Sequence, residues 1–328
     1  MKLVLLIIQP AITCLLLYLK EGLAQQEKII GGSSCKGIKH EFTVYIPIPF
    51  NDMDNGDNGP GRRLNDQNDP NDLVDMYLQI CPFGGTLISD RWVLSSAICH
   101  LKPKFAIVGM STSNANAYIK DHPESKIPVE KCINHEKAST SSSGEPIADY
   151  SIAVLKLSKA VSEGGTVSFV KLPTSKFSGE IHKSCPHGVI MGWGPISATG
   201  MFEKPRMTNS TNPDFPKPSP TMNCATVDVK PISECDGSLA KDRVMCTTST
   251  AGKSASIFGD TGCPLMCNDV QVGIIVRMVM PGTPGTLYTR VDYYLDWINE
   301  HAFAEQHPAN LIIVLVIISV HIVLHLVM

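Results

Sequence analysis

The chain has 328 residues, a formal net charge of −3 and 43% hydrophobic residues. This balance lacks the basic excess typical of nucleic-acid-binding proteins and the polybasic patch of membrane-surface proteins. The hydrophobic content is ample for a buried core, and the length allows one large domain or two small ones.

The first 24 residues have the composition of a secretory signal peptide. Lys2 precedes the apolar run LVLLIIQPAITCLLLYL, and the segment ends at Gly22-Leu23-Ala24. Because a glutamine and a proline interrupt the apolar run, we expect cleavage near Ala24 rather than retention as a signal anchor. Residues 25–28 then form a short propeptide.

Short alternating or apolar runs follow, separated by turn residues and without intervening helical patterns. This arrangement predicts an all-β sandwich or barrel. One helix is predicted near the end of the chain, where apolar residues recur at helical spacing between Val291 and Ala302. The predicted strands are residues 42–46, 85–89, 91–96, 104–110, 151–157, 188–194, 272–280 and 286–291.

Two polar loops interrupt this pattern. Residues 51–75 are rich in Asn, Asp and Gly, but no register places Asp or Asn at the first, third and fifth positions and Gly at the sixth, as a calcium-binding EF-hand requires. We therefore expect disorder there, and no metal or cofactor. Residues 204–220 are proline-rich and contain a glycosylation sequon at Asn209.

The C-terminal segment, residues 311–328, is apolar throughout and has no basic residue after it. As a helix it would be about 27 Å long, marginally enough to cross a bilayer. The absence of a basic stop favours a lipid-anchor signal that is removed on attachment, with residues 301–310 as spacer and with Ala302 and Ala304 flanking the attachment site. A retained transmembrane helix is the alternative.

Eleven cysteines in a secreted chain indicate disulfide bonds. Cys14 lies in the predicted signal peptide, so ten cysteines remain in the mature protein.

Six segments, in this order, resemble trypsin-like serine proteases of the chymotrypsin fold. The segments are KIIGG (28–32), GGTLISDRWVLSSAIC (84–99), SIAVLKL (151–157), GWG (192–194), GDTGCPL (259–265) and PGTLYTRVDYYLDWI (284–298). The resemblance covers roughly residues 29–300. It implies an all-β fold of two packed six-stranded antiparallel barrels with a C-terminal helix and an active-site crevice between the barrels.

The resemblance also implies four disulfide bonds. These are Cys35–Cys224, Cys81–Cys99, Cys185–Cys267 and Cys235–Cys246. Cys132 and Cys263 are left over, either as free thiols or bonded to each other. The family bridge beside the specificity pocket has lost both partners.

All three catalytic positions that the resemblance identifies are substituted. Ile98 occupies the position of the general base, Ser151 that of the carboxylate and Thr261 that of the nucleophilic serine. Isoleucine cannot accept a proton, and a serine hydroxyl cannot hold an imidazolium by charge, so the three-part mechanism is lost. Threonine acts as a nucleophile only with a base beside it.

Two neighbouring residues could in principle compensate for the lost groups. His100 lies two residues after Ile98, and Asp149 lies two residues before Ser151, starting about 6–7 Å from it in an extended strand. We expect a surface histidine and a solvated aspartate, since catalysis tolerates little misplacement.

The substrate pocket and the activation switch follow from the same resemblance. Ala255 at the pocket base provides no charge for a Lys or Arg substrate, and Met278 replaces a glycine and is expected to fill the entrance. The amino terminus released by cleavage after Lys28 would place Ile29 against Asp260.

The sequence thus predicts a catalytically inactive homologue on the extracellular face of the plasma membrane. It would be a binding or regulatory protein, tethered by its C-terminal tail, with an extracellular protein partner and no nucleic acid. One alternative is an active serine-type endopeptidase with rebuilt catalytic residues. Another is an adhesion or gamete-surface protein, because anchored members of this family occur in reproductive tracts.

Overall fold

Two barrels of antiparallel strands make up the part of the chain that the computed structural model describes. The described residues are 32–48, 83–139, 148–178, 180–194, 220–235, 242–249, 260–279 and 285–303. The predicted fold is therefore confirmed, including the short C-terminal helix.

The first barrel is a closed antiparallel sheet with the strand order β2-β3-β4-β7-β6-β5. A two-residue strand, β1, precedes it in the chain. The strands are β1 (Ser33–Ser34), β2 (Thr43–Ile46), β3 (Phe83–Leu87), β4 (Trp92–Ser95), β5 (Phe105–Val108), β6 (Lys126–Asn134) and β7 (Ala153–Leu157).

Strand β2 shows why these strands are apolar on both faces. Val44 and Ile46 point into the cluster that fills the first barrel. Tyr45, between them, points into the larger cluster that continues into the second barrel. Because successive side chains of a strand alternate between faces, a strand buried on both sides reads as a continuous apolar run.

The second barrel has the order β9-β10-β13-β12-β11-β8 and closes through a pairing of β8 with β9, while β1 adds to the outside of β9. Asn268 and Asp269 form the two-residue connection from β11 to β12, both with positive φ, as type I′ hairpins require. The strands are β8 (His187–Gly192), β9 (Asn223–Lys230), β10 (Val244–Ser249), β11 (Pro264–Cys267), β12 (Val270–Val279) and β13 (Gly285–Arg290).

Few helical segments accompany the strands. The α-helices are α1 (Ala115–Asp121), α2 (Ile181–Ser184) and α3 (Leu295–Ile298). Short 3-10 turns lie at Cys99–Leu101, Pro123–Ser125, Ile232–Glu234 and Val291–Tyr293, and a π-helix at Asn299–Phe303 follows α3. The predicted C-terminal helix is thus a run of three helix types. We call residues 291–303 the C-terminal helical segment.

The two barrels meet in a polar and aromatic interface. Thr86 of β3 donates a hydrogen bond of 2.7 Å to the Gln271 side chain of β12, and neither residue is exposed. Tyr45 and Trp193 pack edge to face with ring centroids 5.4 Å apart. Buried hydrogen bonds of this kind fix the register of one barrel against the other.

Three of the four predicted disulfides are present: Cys35–Cys224, Cys185–Cys267 and Cys235–Cys246. The prediction of Cys81–Cys99 is wrong, because Cys99 bonds to Cys132 instead. Cys132 lies on β6. On the same strand, the Asn134 side chain accepts a hydrogen bond of 3.1 Å from the Cys99 N–H, and the Cα atoms of Cys99 and Cys132 are 5.5 Å apart. Cys132 is therefore neither free nor bonded to Cys263, which is a buried free cysteine.

Several predicted features lie outside the described residues. They are the signal peptide, Ile29, Cys81, Asn209, Ala255 and the apolar segment 311–328. Within the described ranges, none of the helices is long and apolar enough to cross a membrane.

Candidate active site

The position expected for the catalytic histidine is part of the hydrophobic core. Ile98 follows β4 by three residues and is completely buried. It packs in the apolar cluster of the first barrel with Leu87, Val93 and Leu155. The isoleucine side chain can neither accept nor donate a proton, and its neighbours in this cluster are apolar.

Ser151 precedes β7, and its hydrogen bonds link the segment that contains Ile98 to strand β13. Its hydroxyl oxygen accepts a hydrogen bond of 3.3 Å from the Ala97 N–H, and its carbonyl accepts one of 2.8 Å from Thr289 Oγ1. The residue before it, Tyr150, has a φ of 63°, which is uncommon for a side chain of that size. Ser151 is thus a buried residue with a structural role, hydrogen-bonded to the residue that precedes Ile98.

Thr261 is fixed by bonds to the backbone on both sides. Its Oγ1 donates to the Val276 carbonyl at 3.2 Å, and its own carbonyl accepts from the Gly84 N–H at 2.7 Å. Within the described part of the chain, no imidazole or carboxylate hydrogen-bonds to Oγ1. A threonine hydroxyl without a base has no means of losing its proton to become a nucleophile.

Hydrogen bonds connect the backbone segments that carry the three substituted positions. The loop containing Thr261 contacts Gly84, whose carbonyl accepts a hydrogen bond of 2.7 Å from the Ser95 hydroxyl. Ser95 ends the strand that leads to Ile98, and Ser151 bonds to Ala97 next to it. The segments that carry Ile98, Ser151 and Thr261 are therefore connected to one another through Gly84, Ser95 and Ala97.

Asp149 and His100, which could in principle have replaced the lost catalytic groups, have other positions and contacts in the structure. Asp149 is buried and paired with Arg243 through contacts of 2.9 and 3.4 Å. This bond raises the pKa of the Arg243 guanidinium above its ordinary value. His100 lies in the 3-10 turn that begins at Cys99 and is exposed. Asp149 is thus an ion-pair partner rather than the solvated aspartate that we expected, and neither residue restores the catalytic geometry.

The loop before Thr261 retains a buried carboxylate. Asp260 is fully buried, and its Oδ1 accepts a hydrogen bond of 2.8 Å from the Gly194 N–H. Gly192 packs directly against the same oxygen and leaves no room there for a side chain. Its predicted partner, Ile29, lies outside the described residues.

Cys263 replaces a small residue in this loop and fills the contact between the barrels. Its Sγ lies where a side chain on Gly84 would have to be. Burial, together with nearby Asp260, raises the thiol pKa well above its ordinary value. A thiol that is buried and stays protonated is unreactive, so Cys263 acts as a packing residue.

The residue whose backbone carbonyl accepts the hydrogen bond from Thr261 has an apolar side chain in an apolar environment. Val276 is buried in a small cluster with Ala148, Val244 and Leu287. Sequence analysis missed its contact with Thr261, which passes through the backbone carbonyl and leaves no signal in the residue type. Met278 pairs with Thr286 of β13 through its backbone.

The fold is a scaffold of two antiparallel barrels, and the three positions that the sequence resemblance identifies as catalytic hold Ile98, Ser151 and Thr261. A family model described as Trypsin matches residues 73–298. The chain belongs to the trypsin family.

Curated relatives include both proteases and proteins named as homologues of them. The chain is 30% identical over 282 residues to snake venom serine protease 2 of Protobothrops flavoviridis, covering 83% of this chain and 86% of the relative. It is 29% identical over 294 residues to snake venom serine protease homolog 2A of Craspedocephalus gramineus, covering 87% and 91%. Similarity in sequence thus extends over nearly the whole chain.

Among solved structures, the chain is similar to neuropsin, a serine protease expressed in the limbic system of mouse brain. The TM-score is 0.50 at 24% identity, covering 67% of this chain and 88% of neuropsin. This similarity supports the fold.

Proposed function

We propose that this protein is a catalytically inactive member of the trypsin family that acts as an extracellular binding or regulatory protein. The observation that supports this most is the burial of Ile98 in an apolar cluster at the position of the general base. Without a base, the Thr261 hydroxyl remains a hydrogen-bond donor to the Val276 carbonyl.

The names of several relatives agree with loss of activity. Chains 28–29% identical to this one are called snake venom serine protease homologs rather than proteases. Proteins that keep a protease scaffold without its chemistry present variable loops on a rigid framework, and such loops commonly carry binding function. We therefore place the binding surface on the loops around the cleft and infer an extracellular protein as partner.

The proposed location rests on the two ends of the sequence. A signal peptide over residues 1–24 directs the chain to the secretory pathway, and four disulfides fit an oxidising compartment. The apolar residues 311–328 act as a lipid-anchor signal and tether the domain to the extracellular face of the membrane.

The test of inactivity is hydrolysis of fluorogenic peptide and ester substrates by the protein cut after Lys28. We propose that this cut pairs Ile29 with Asp260. The cut protein is therefore the form in which any remaining activity should be detected. The expected rate equals that of the matched Thr261→Ala variant treated in the same way. Turnover by the unmodified protein that Thr261→Ala abolishes would mean that the catalytic residues have been rebuilt.

The test of binding is proximity labelling on the native cell surface. Recovery of one extracellular protein, dependent on the loops around the cleft, is the expected result. Labelling indistinguishable from that of an unrelated protein carrying the same C-terminal tail would count against a binding role.

A further inference from the structure

A cluster of ionisable and aromatic side chains joins the C-terminal helical segment to the first barrel, away from the substituted catalytic positions. Glu136 follows β6, and its carboxylate faces Trp297 and His301 of the C-terminal helical segment. The Trp297 indole N–H donates to Glu136 Oε1 at 3.2 Å. His301 Nε2 lies 3.4 Å from the same oxygen.

The hydrogen bonds of His301 require a particular protonation state. Its Nδ1 lies 2.9 Å from the Trp297 carbonyl oxygen, which can only accept, so Nδ1 carries a hydrogen. A neutral ring with that hydrogen presents a lone pair at Nε2, directed at the Glu136 carboxylate. Only the imidazolium presents N–H groups to both oxygens, so the 3.4 Å contact with Glu136 becomes an ion pair when His301 carries a second proton.

His135, next to Glu136, has the opposite preference. Its Nδ1 accepts a hydrogen bond of 3.1 Å from the Lys137 N–H, which requires an unprotonated nitrogen. The same Nδ1 lies 3.5 Å from Glu136 Oε2. Burial lowers the pKa of His135; Glu136 raises it, and Lys137, His301 and Arg243 lower it further. Burial and the hydrogen bond from Lys137 therefore favour the neutral form of His135, and the Glu136 carboxylate is left as the partner of His301.

Stacking couples these protonation states to the position of the segment. His301 stacks on Trp297 with ring centroids 4.6 Å apart, and His135 stacks on the same indole at 5.5 Å. The charged and titratable side chains that face His135 are Glu136, Lys137, Tyr150, Arg243, Tyr294 and His301, and His301 in turn faces Glu136 and His135.

We propose that His301 and Glu136 form a proton-operated clamp that fastens the C-terminal helical segment to the first barrel. While His301 is neutral, the segment is held by the Trp297–Glu136 hydrogen bond, by the hydrogen bond from the Tyr150 N–H to the Tyr294 hydroxyl and by the burial of its apolar residues. When His301 takes up a proton, a charge-assisted bond adds to it and the segment becomes more firmly held. Acidic compartments therefore strengthen the attachment of the last described segment of the domain.

Hydrogen–deuterium exchange on the intact protein in detergent tests the clamp. Protection of amides in residues 295–303 is compared at about pH 8 and about pH 6, on either side of the usual imidazole pKa, after correction for intrinsic exchange rates. Because the ion pair is partly exposed, we expect about two- to fivefold more protection at the lower pH.

Three variants test whether the Glu136–His301 pair causes the pH-dependent change in amide protection. Glu136→Gln keeps an acceptor for the Trp297 indole but removes the charge, and His301→Gln removes the proton site; both should abolish the pH-dependent change. His122→Gln is the matched control, because His122 lies 3.5 Å from Glu124 in a similar exposed pair remote in sequence from the clamp, and it should leave the change intact. Equal protection at both pH values in the unmodified protein, or a change that persists in Glu136→Gln or His301→Gln, would overturn the proposal.

Discussion

Restoring a histidine at position 98 should damage the fold. Ile98 is completely buried among aliphatic side chains, and its burial contributes about 1.5–3 kcal/mol. A neutral imidazole there would lose much of this contribution and bury a donor without a partner, which costs about 1–3 kcal/mol. We expect Ile98→His to lower the free energy of unfolding by about 3–6 kcal/mol, which for a domain of this size lowers Tm by about 6–24 °C.

Differential scanning calorimetry at about pH 8, where a free imidazole is neutral, measures this effect. Ile98→Val is the control, with an expected loss of about 0.5–1.5 kcal/mol from the removed methylene. If Ile98→His cost no more than Ile98→Val, position 98 would tolerate a polar group and the argument from burial would fail.

A double-mutant cycle extends the same test to the neighbouring position. Because the Ser151 hydroxyl bonds to the N–H of Ala97, an aspartate at position 151 would lie close to a histidine at position 98. Ile98→His and Ser151→Asp should therefore couple favourably by about 1–3 kcal/mol, the range for a hydrogen bond to a charged group. Additive effects would show that the two positions no longer face each other.

Three further predictions concern the bonds, the anchor and the stability of the protein. Peptide mapping under non-reducing conditions should recover Cys99 bonded to Cys132, whereas a Cys81–Cys99 peptide would contradict the structure. Phosphatidylinositol-specific phospholipase C should release the protein from intact cells, whereas protein that stays on the cell and still contains residues 311–328 would be held by a transmembrane helix. The pKa of His135 is lowered below the usual 6.5, mainly by burial, so the unfolded chain takes up a proton there before the native protein does. The free energy of unfolding should therefore fall more steeply in the unmodified protein than in His135→Gln as pH decreases below 6.5 in chemical denaturation, and parallel curves would contradict the assignment.

Several of the predicted strands consist of residues that are buried on both faces. β2, β4 and β7 fall within predicted segments because alternate residues fill two different clusters. β6 was missed because many of its residues are exposed, and its lysines and glutamate give no apolar run. α1 was also missed, since it is one short amphipathic stretch that begins with a cap from the Asn114 side chain.

The site could be located from sequence, but its interactions could not. The segments around Ile98, Ser151 and Thr261 are recognisable because the surrounding backbone needs particular residues, such as Gly262 with a φ of 88° against the Gly84 carbonyl. The pairing of Asp149 with Arg243 joins residues 94 apart in sequence, and nothing near either residue signals it. The Cys99–Cys132 bond was missed for a related reason: the resemblance supplied a different partner, and β6 was not among the predicted strands.

Fluorophosphonate labelling followed by mass spectrometry tests whether the Thr261 hydroxyl has a base that activates it for catalysis. The intact protein, cut after Lys28, should carry no covalent adduct at Thr261 under conditions that fully label an active trypsin-like protease in the same tube. An adduct at Thr261 that disappears in Thr261→Ala would show that this hydroxyl is activated and that the protein is an enzyme.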